Sequence, residues 1–322
     1  MRNILGAVSV LGLLAGPAGA GDRWDMPTPY ADNNFHTVNI KQFADDVAQA
    51  TDGALEIVVH SAASLFKLPE IKRAVQTGQV PIGEVLMSAL GNEDPLYEVD
   101  SVPFLAADYD AARKLWTASR PMIEARLDRQ GMMVLFAVPW PPQALFAKTP
   151  LTAIADLEGV RFRVYNAMTG RLAELMGALP TTVQMPELPQ AFSTGMVSAM
   201  ITSPSFAVDT QAWDFVDHMY QTRAMVPKDM VIMHRRAFQR LDGAVQAALL
   251  AAAESAEERG WRMSAEETAA KTQVLADNGM NVAEPAEAFM AELQAIGQTM
   301  IAEWVESAGP DGAAVIAAYR DR

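Results

Sequence analysis

The stretch from residue 159 to residue 204 reads GVRFRVYNAMTGRLAELMGALPTTVQMPELPQAFSTGMVSAMITSP and decides the fold. Apolar and polar side chains alternate over residues 160–165, a period of two that predicts a β-strand. Asn166 can cap a helix, and apolar side chains then recur at helical spacing until Gly177 ends it. The remainder predicts a strand, a short helix and a third strand, at residues 181–185, 187–195 and 198–202.

Strands that alternate with helices over short connections form half of a doubly wound α/β domain. Ligands of such sheets lie beyond the carboxyl ends of the strands. Arg163, Thr202 and Ser203 stand toward those ends in the sequence. A guanidinium offers a planar fork of donors that matches a carboxylate, so these positions indicate a site for a small acid.

Two segments in or just before this stretch resemble a known family. DLEGVRFRV at residues 156–164 and GMVSA at residues 195–199, with LMGA at 175–178 between them, resemble the central signature of one receptor family. That family is the substrate-binding subunits of tripartite ATP-independent periplasmic (TRAP) transporters. The resemblance covers nearly the whole chain after residue 20. It implies a two-domain α/β solute-binding fold, in which each domain is a central sheet flanked by helices, with a ligand cleft between the domains and a long helix near the C-terminus.

The resemblance also implies a function and partners. A member of that family captures a small organic acid in the cleft and delivers it to the membrane subunits of the transporter. Uptake is then driven by an ion gradient, so the receptor needs no nucleotide site. On this basis we expect no catalysis, no cofactor and no bound metal, and we expect a monomer.

The overall composition excludes several other classes of protein. The chain has 322 residues and a formal net charge of −14, which is unfavourable for binding nucleic acid or an anionic membrane. It has no cysteine, which excludes disulfides, thiol catalysis and thiolate metal sites. The four histidines show no metal-ligand spacing, and the sequence carries no nucleotide-binding or nucleophile-elbow motif.

The first 20 residues have the pattern of a secretory signal peptide. Arg2 precedes an apolar run over residues 4–14, and the small residues Ala18, Gly19 and Ala20 follow. The run is too short to span a bilayer. We therefore expect cleavage near Ala20 and a periplasmic mature protein.

Proline and the order of elements predict two interleaved domains. Residues 139–142 read PWPP, which cannot continue a central strand and is predicted to cross between domains. We expect a first domain of residues 21–140 plus about 216–277, and a second of 141–215 plus about 278–322 with the C-terminal helices. Residues 242–276 predict the longest helix, with a possible kink at Gly260.

The resemblance assigns the central ligand contact to Arg163, as the family's carboxylate-binding arginine. Thr202 and Ser203 stand where many members carry Asn-Pro, and a hydroxyl makes fewer hydrogen bonds than an amide. A second arginine is often present in the family, but here the corresponding segment offers Pro141, Pro142 and Gln143. These departures favour a smaller or more apolar ligand than a sugar acid.

Further ligand contacts are predicted from aromatic and polar residues near the expected cleft. Five aromatic residues are candidate walls: Trp140, Phe104, Tyr30, Phe206 and Trp213. Glu84 lies on an apolar strand, where a charge needs a partner, and is a candidate for a ligand amine or hydroxyl. Asn34 opens the first helix near the cleft, although helix capping also accounts for a side chain of this kind.

Two alternatives remain open from the residues. The excess of acidic residues, Glu84 and the tryptophans also permit a receptor for a small amine or zwitterion. A periplasmic hydrolase or lyase on a similar fold is the alternative from another class. It would need an activated nucleophile or an acid–base pair, and the sequence selects none.

Overall fold

The computed structural model describes residues 21–322, so the predicted signal peptide lies outside the described residues. In that range the strands are β1 (Asp22–Pro27), β2 (Leu55–His60), β3 (Ile82–Leu86), β4 (Met132–Pro139), β5 (Ala144–Ala147), β6 (Arg161–Val164), β7 (Leu179–Thr182), β8 (Ala199–Thr202), β9 (His218–Tyr220), β10 (Lys228–His234) and β11 (Asn281–Ala283). The helices are α1 (Phe35–Ala50), α2 (Leu68–Gln76), α3 (Tyr109–Arg129), α4 (Ala167–Leu175), α5 (Leu188–Ser193), α6 (Pro204–Asp209), α7 (Arg235–Arg240), α8 (Gly243–Asp277) and α9 (Glu287–Arg320).

The strands divide between the two domains, with two small sheets in the first domain and one six-stranded sheet in the second. In the first domain β1 pairs with β2 in parallel, and β10 lies antiparallel between β3 and β4. The second sheet has six strands in the order β11-β9-β5-β8-β6-β7. There β6 runs parallel to β7 and β8, as the repeated strand–helix units predict. The two-domain α/β fold expected from the sequence is confirmed.

Two extended segments carry the chain between the sheets, and they lie side by side. The first joins β4 to β5, and the second joins β9 to β10. Trp140 N donates to Pro227 O at 2.8 Å, and Gln143 N donates to Met225 O at 2.9 Å. These hydrogen bonds fasten the two connections to each other at the base of the cleft.

Helix α8 packs closely against α1 and β4 at Gly260. A Cβ at this glycine would lie 2.4 Å from Val138 Cγ2 and 2.8 Å from Asn39 Nδ2. The sequence predicted a possible kink at Gly260, but α8 is one continuous helix of 35 residues. The glycine therefore serves close approach rather than bending.

Helix α9 spans both domains. Phe289, Leu293 and Met300 pack in the core beside the six-stranded sheet, whereas Trp304 and Val315 pack in the core of the first domain. Its backbone is interrupted at Gly309, which has a φ of 61° and precedes Pro310. The helical segments on the two sides of this interruption together reach both cores.

The observed sheets place two segments differently from the predicted division into domains. Strand β9 follows residue 216 but is hydrogen-bonded to β5 in the second sheet, so the chain returns to the first domain after Tyr220. The C-terminal half of α9 was expected in the second domain but packs on the first. Sequence periodicity identifies each element but does not specify which core buries it. The division into domains stays a proposal in its details.

Candidate functional site

A cavity of about 420 Å³ lies where the two domains face each other. Its lining combines residues from β6, β8 and α6 of the second domain with residues of the β1–α1 and α2 regions of the first. Trp140, Gln143 and Pro227 of the connecting segments close its base. The volume lies in the range usual for small-molecule sites, about 300–1,000 Å³.

Arg163 is the buried cation of this cavity. It is the third of the four residues of β6, 3% exposed, and its Nε donates to Val183 O at 3.0 Å. The guanidinium carbon lies 4.9 Å from the Tyr165 ring centroid and 5.0 Å from that of Phe206. Among residues 21–322 no carboxylate lies within 4.0 Å of its nitrogens.

The guanidinium remains charged despite its burial. Desolvation lowers the pKa of Arg163 to about 10, while the nearby tyrosines act in the opposite direction. The side chain is therefore protonated at neutral pH. A buried cation without a counter-ion is costly, and an anionic ligand would remove that cost.

Hydroxyl and amide groups line the same cavity as the guanidinium. Thr202 ends β8, and the Ser203 hydroxyl caps α6 by accepting from Phe206 N at 3.1 Å. Gln143 donates from Nε2 to Pro141 O at 2.9 Å, and its Oε1 accepts from Tyr165 at 3.4 Å. These groups can hydrogen-bond the polar atoms of a ligand.

Beside Tyr165, three further aromatic rings line the cavity, and Trp140 is the central one. Trp140 makes edge contacts with Tyr30, at 5.0 Å between centroids and 76° between planes, and with Phe206, at 6.4 Å and 71°. All three line the cavity. Lys67 and Glu187, both exposed, lie at the rim. The interior thus pairs one cation with apolar faces.

Six of the ten predicted site residues line this cavity. They are Arg163, Thr202, Ser203, Trp140, Phe206 and Tyr30. Their contact with a ligand stays a prediction. The cavity also includes Gln143 and Tyr165, which the sequence reasoning did not select. Tyr165 could have been found, because residues two apart on a strand share a face and it follows Arg163.

The other four predicted residues lie outside the cavity lining. Asn34 caps α1, and its Nδ2 donates to Asp209 Oδ2 at 2.7 Å, joining α1 to the end of α6. Trp213 packs, half-buried, against the core. Phe104 lines a separate void of about 10 Å³, and its backbone N donates to Ala224 O at 2.6 Å.

Glu84 is buried behind the Tyr30 wall rather than in the cavity. Thr28 donates to one carboxylate oxygen, and His36 Nδ1 lies 3.6 Å from the other. Burial and the neighbouring charge of Asp229 raise the pKa of Glu84 well above its usual range. The raised pKa favours the neutral carboxyl, and Thr28 and His36 lie against its oxygens inside the protein.

The comparisons with known proteins agree on one family. Residues 28–307 match the model of the bacterial extracellular solute-binding proteins of family 7, DctP. A curated relative, the C4-dicarboxylate-binding periplasmic protein DctP of Rhodobacter capsulatus, is 28% identical over 171 residues. That match covers 51% of this chain and 50% of the relative, so the chain matches about half of the length of that protein.

Solved structures resemble the chain over nearly its full length. DctP7 of Bordetella pertussis, a solute receptor that binds pyroglutamic acid, is 52% identical with a TM-score of 0.92 and is matched over 93% of this chain and 100% of its own. A marine metagenome TRAP solute-binding protein specific for pyroglutamate is 41% identical with a TM-score of 0.91, over 94% of this chain and 99% of its own.

Proposed function

The chain belongs to family 7 of the bacterial extracellular solute-binding proteins, and from this premise we propose that it is a TRAP solute receptor whose cavity binds pyroglutamate or a close cyclic acid. The alternative of an enzyme has little support from the site. Among the residues that line the cavity, neither the Thr202 nor the Ser203 hydroxyl is hydrogen-bonded to a histidine or carboxylate that could activate it.

The observation that carries the proposal is the Arg163 guanidinium, buried at the cavity without a carboxylate partner in the described chain. Its Nε donates a hydrogen bond to Val183 O, which leaves the terminal nitrogens for a ligand. Two parallel bonds to one carboxylate satisfy such a group in a geometry that Lys does not offer. A single buried arginine supports a ligand with one carboxylate.

The remaining lining supports a small, mostly apolar ring beside that carboxylate. The faces of Tyr30, Trp140 and Phe206 suit a saturated ring, and the Thr202 hydroxyl and Gln143 amide suit a lactam N–H and C=O. Pyroglutamate has this combination. The two similar receptors of 52% and 41% identity bind pyroglutamic acid, which supports the same class of ligand here.

The residue on which the amine-receptor alternative depends does not line the cavity. Glu84 was its predicted carboxylate, and Glu84 lies behind Tyr30, bonded to Thr28. The acid near the opening is the exposed Glu187 at the rim. An exposed carboxylate recognises a cation weakly, because water and salt screen the charge.

The proposal includes export of the protein to the periplasm and delivery of its ligand to membrane partners. Among residues 21–322, every helix is too short or too polar to cross a bilayer. The apolar run of residues 4–14 and the small residues before Gly21 support export with cleavage near Ala20. The receptor would then work in the periplasm and deliver its ligand to TRAP membrane subunits. An intact mass beginning near Gly21 in a periplasmic extract is expected, and an uncleaved chain there would contradict it.

Calorimetric titration with pyroglutamate and with 2-pyrrolidone tests the proposed ligand class. The second compound is the same lactam ring without the carboxylate. We expect pyroglutamate to bind at least about thirty-fold more tightly, because a buried charge-assisted pair is worth roughly 2 kcal/mol or more.

Ectoine, a small cyclic zwitterion, serves as the control for the amine-receptor alternative. Tighter binding of ectoine than of pyroglutamate would favour the zwitterion alternative, whereas equal binding of the two lactams would contradict recognition of a carboxylate.

A further inference from the structure

Behind the first-domain wall of the cavity lies a buried cluster of His36, Glu84 and Asp229, each no more than 2% exposed. His36 comes from α1, Glu84 from β3 and Asp229 from the neighbouring strand β10. None of the three lines the cavity. Two carboxylates in the interior are costly unless hydrogen-bond donors satisfy them.

Asp229 accepts hydrogen bonds from both rings that form this wall. Trp140 Nε1 donates to its Oδ2 at 2.9 Å, and the Tyr30 hydroxyl donates to its Oδ1 at 3.1 Å. The two rings stand 76° apart and form a corner that faces the cavity. A rigid carboxylate that holds one ring with each oxygen fixes the angle of that corner.

The other members of the cluster brace Asp229 from behind. The His36 ring packs on Trp140 with centroids 4.4 Å apart, and its Nε2 lies 3.6 Å from Asp229 Oδ2 without a hydrogen-bond partner. Its Nδ1 faces Glu84 at 3.6 Å. Because the carboxylates face different ring nitrogens, each at 3.6 Å and beyond hydrogen-bond distance, the arrangement suits an imidazole packed between them better than a metal ion carried by one nitrogen.

We propose that Asp229 is a positioning residue that sets the Tyr30–Trp140 corner and thereby selects a flat cyclic acid over an open-chain acid of the same charge. This inference rests on the proposed function, since it concerns the ligand of that cavity. Two flat faces near a right angle contact both a ring face and a ring edge. A flexible acid must be ordered to do the same, which costs conformational entropy.

The test compares pyroglutamate with N-acetylalanine, which has the same carboxylate and amide but an open ring. Asp229→Asn keeps the size of the side chain but replaces one acceptor oxygen with a donor, so one of the two wall bonds is lost. We expect pyroglutamate affinity to fall about ten-fold, with the ratio of the two affinities moving toward one. An unchanged ratio would overturn the inference.

Tyr30→Phe removes the hydroxyl that donates to Asp229, and it keeps both the aromatic ring and the carboxylate of Asp229. It should lower the ratio in the same direction, and the double variant should lose less than the sum of the two single losses. Glu98→Gln is the control, because Glu98 is also a buried first-domain acid but lies away from the cavity lining. A wild-type ratio of the two ligand affinities in Tyr30→Phe would contradict a shared role of Tyr30 and Asp229. A loss in the double variant equal to the sum of the two single losses would also contradict it.

A ligand-free readout separates this inference from the proposed function. The Trp140 indole proton is bonded to Asp229 and should exchange slowly with solvent, with its resonance identified by Trp140→Phe. Exchange should be faster in Asp229→Asn than in Glu98→Gln. Failure of the wild-type protein to bind pyroglutamate would contradict the proposed function alone, whereas unchanged Trp140 exchange would contradict the positioning role.

Discussion

Replacing Arg163 with alanine is expected to weaken pyroglutamate binding by roughly thirty-fold to several-thousand-fold, which corresponds to about 2–5 kcal/mol. The change removes the cation and leaves the ligand carboxylate desolvated against Tyr165 and Phe206, whose rings flank the guanidinium. Calorimetric titration of the variant measures the loss. The ligand-free variant should remain folded, because within residues 21–322 Arg163 makes one hydrogen bond, to Val183 O, and its burial as a charge is itself unfavourable.

Arg161→Ala is the matched control, two residues earlier on the same strand. Arg161 is exposed and donates from Nη1 to Gly195 O at 2.8 Å. Its loss should change affinity by about five-fold at most, since exposed charges contribute no more than about 1 kcal/mol. Equal affinities for Arg163→Ala and the wild type would refute recognition of the carboxylate by this residue.

The second large effect is expected on stability, at Gly260 of α8. An alanine there places its Cβ within van der Waals overlap of Val138 and Asn39, at 2.4 and 2.8 Å. Asn39 cannot shift freely, because its Nδ2 donates to Ala256 O and its Oδ1 accepts from Arg259. We expect Gly260→Ala to lower the free energy of unfolding by about 1–3 kcal/mol, despite the better helix propensity of alanine.

Gly170→Ala in α4 is the control for this substitution. A Cβ at Gly170 meets no atom within 4 Å, so only the intrinsic helix preference changes and stability should rise by about 0.5–1 kcal/mol. Guanidinium unfolding of both variants measures the two shifts. A Gly260→Ala protein as stable as the wild type would show that α8 does not depend on this close contact.

The part of the fold that could be predicted is the part with strong periodicity. Residues 159–204 alternate and then recur at helical spacing, and β6, α4, β7, α5 and β8 form there. The bounds of β7 differ, since residues 181–185 were predicted and Leu179–Thr182 observed. Val183 instead supplies the carbonyl that accepts from Arg163, a tertiary contact that local pattern does not encode.

The part of the site that could be predicted follows from strand ends. Arg163, Thr202 and Ser203 stand near the carboxyl ends of neighbouring parallel strands, and such ends meet at one edge of a sheet. Trp140 was marked by its flanking prolines. These features depend on local sequence and on a general property of the sheet.

The remainder depends on packing between distant segments. Glu84 shares its apolar strand with residues of the core, but only the approach of Thr28, His36 and Asp229 shows that its partners are internal. Phe104 and Trp213 were selected as aromatic residues near the cleft, and aromatic character does not distinguish a wall from a core. Asp229 itself gave no sequence signal, because its significance lies in bonds to rings far away in the chain.

A crystal structure of the mature protein with pyroglutamate tests the central claim most directly. We expect the ligand in the 420 Å³ cavity, with its carboxylate oxygens accepting from the terminal nitrogens of Arg163 at about 2.7–3.0 Å and its ring against Trp140. A carboxylate directed away from Arg163, toward Lys67 at the rim or into solvent, would contradict the account.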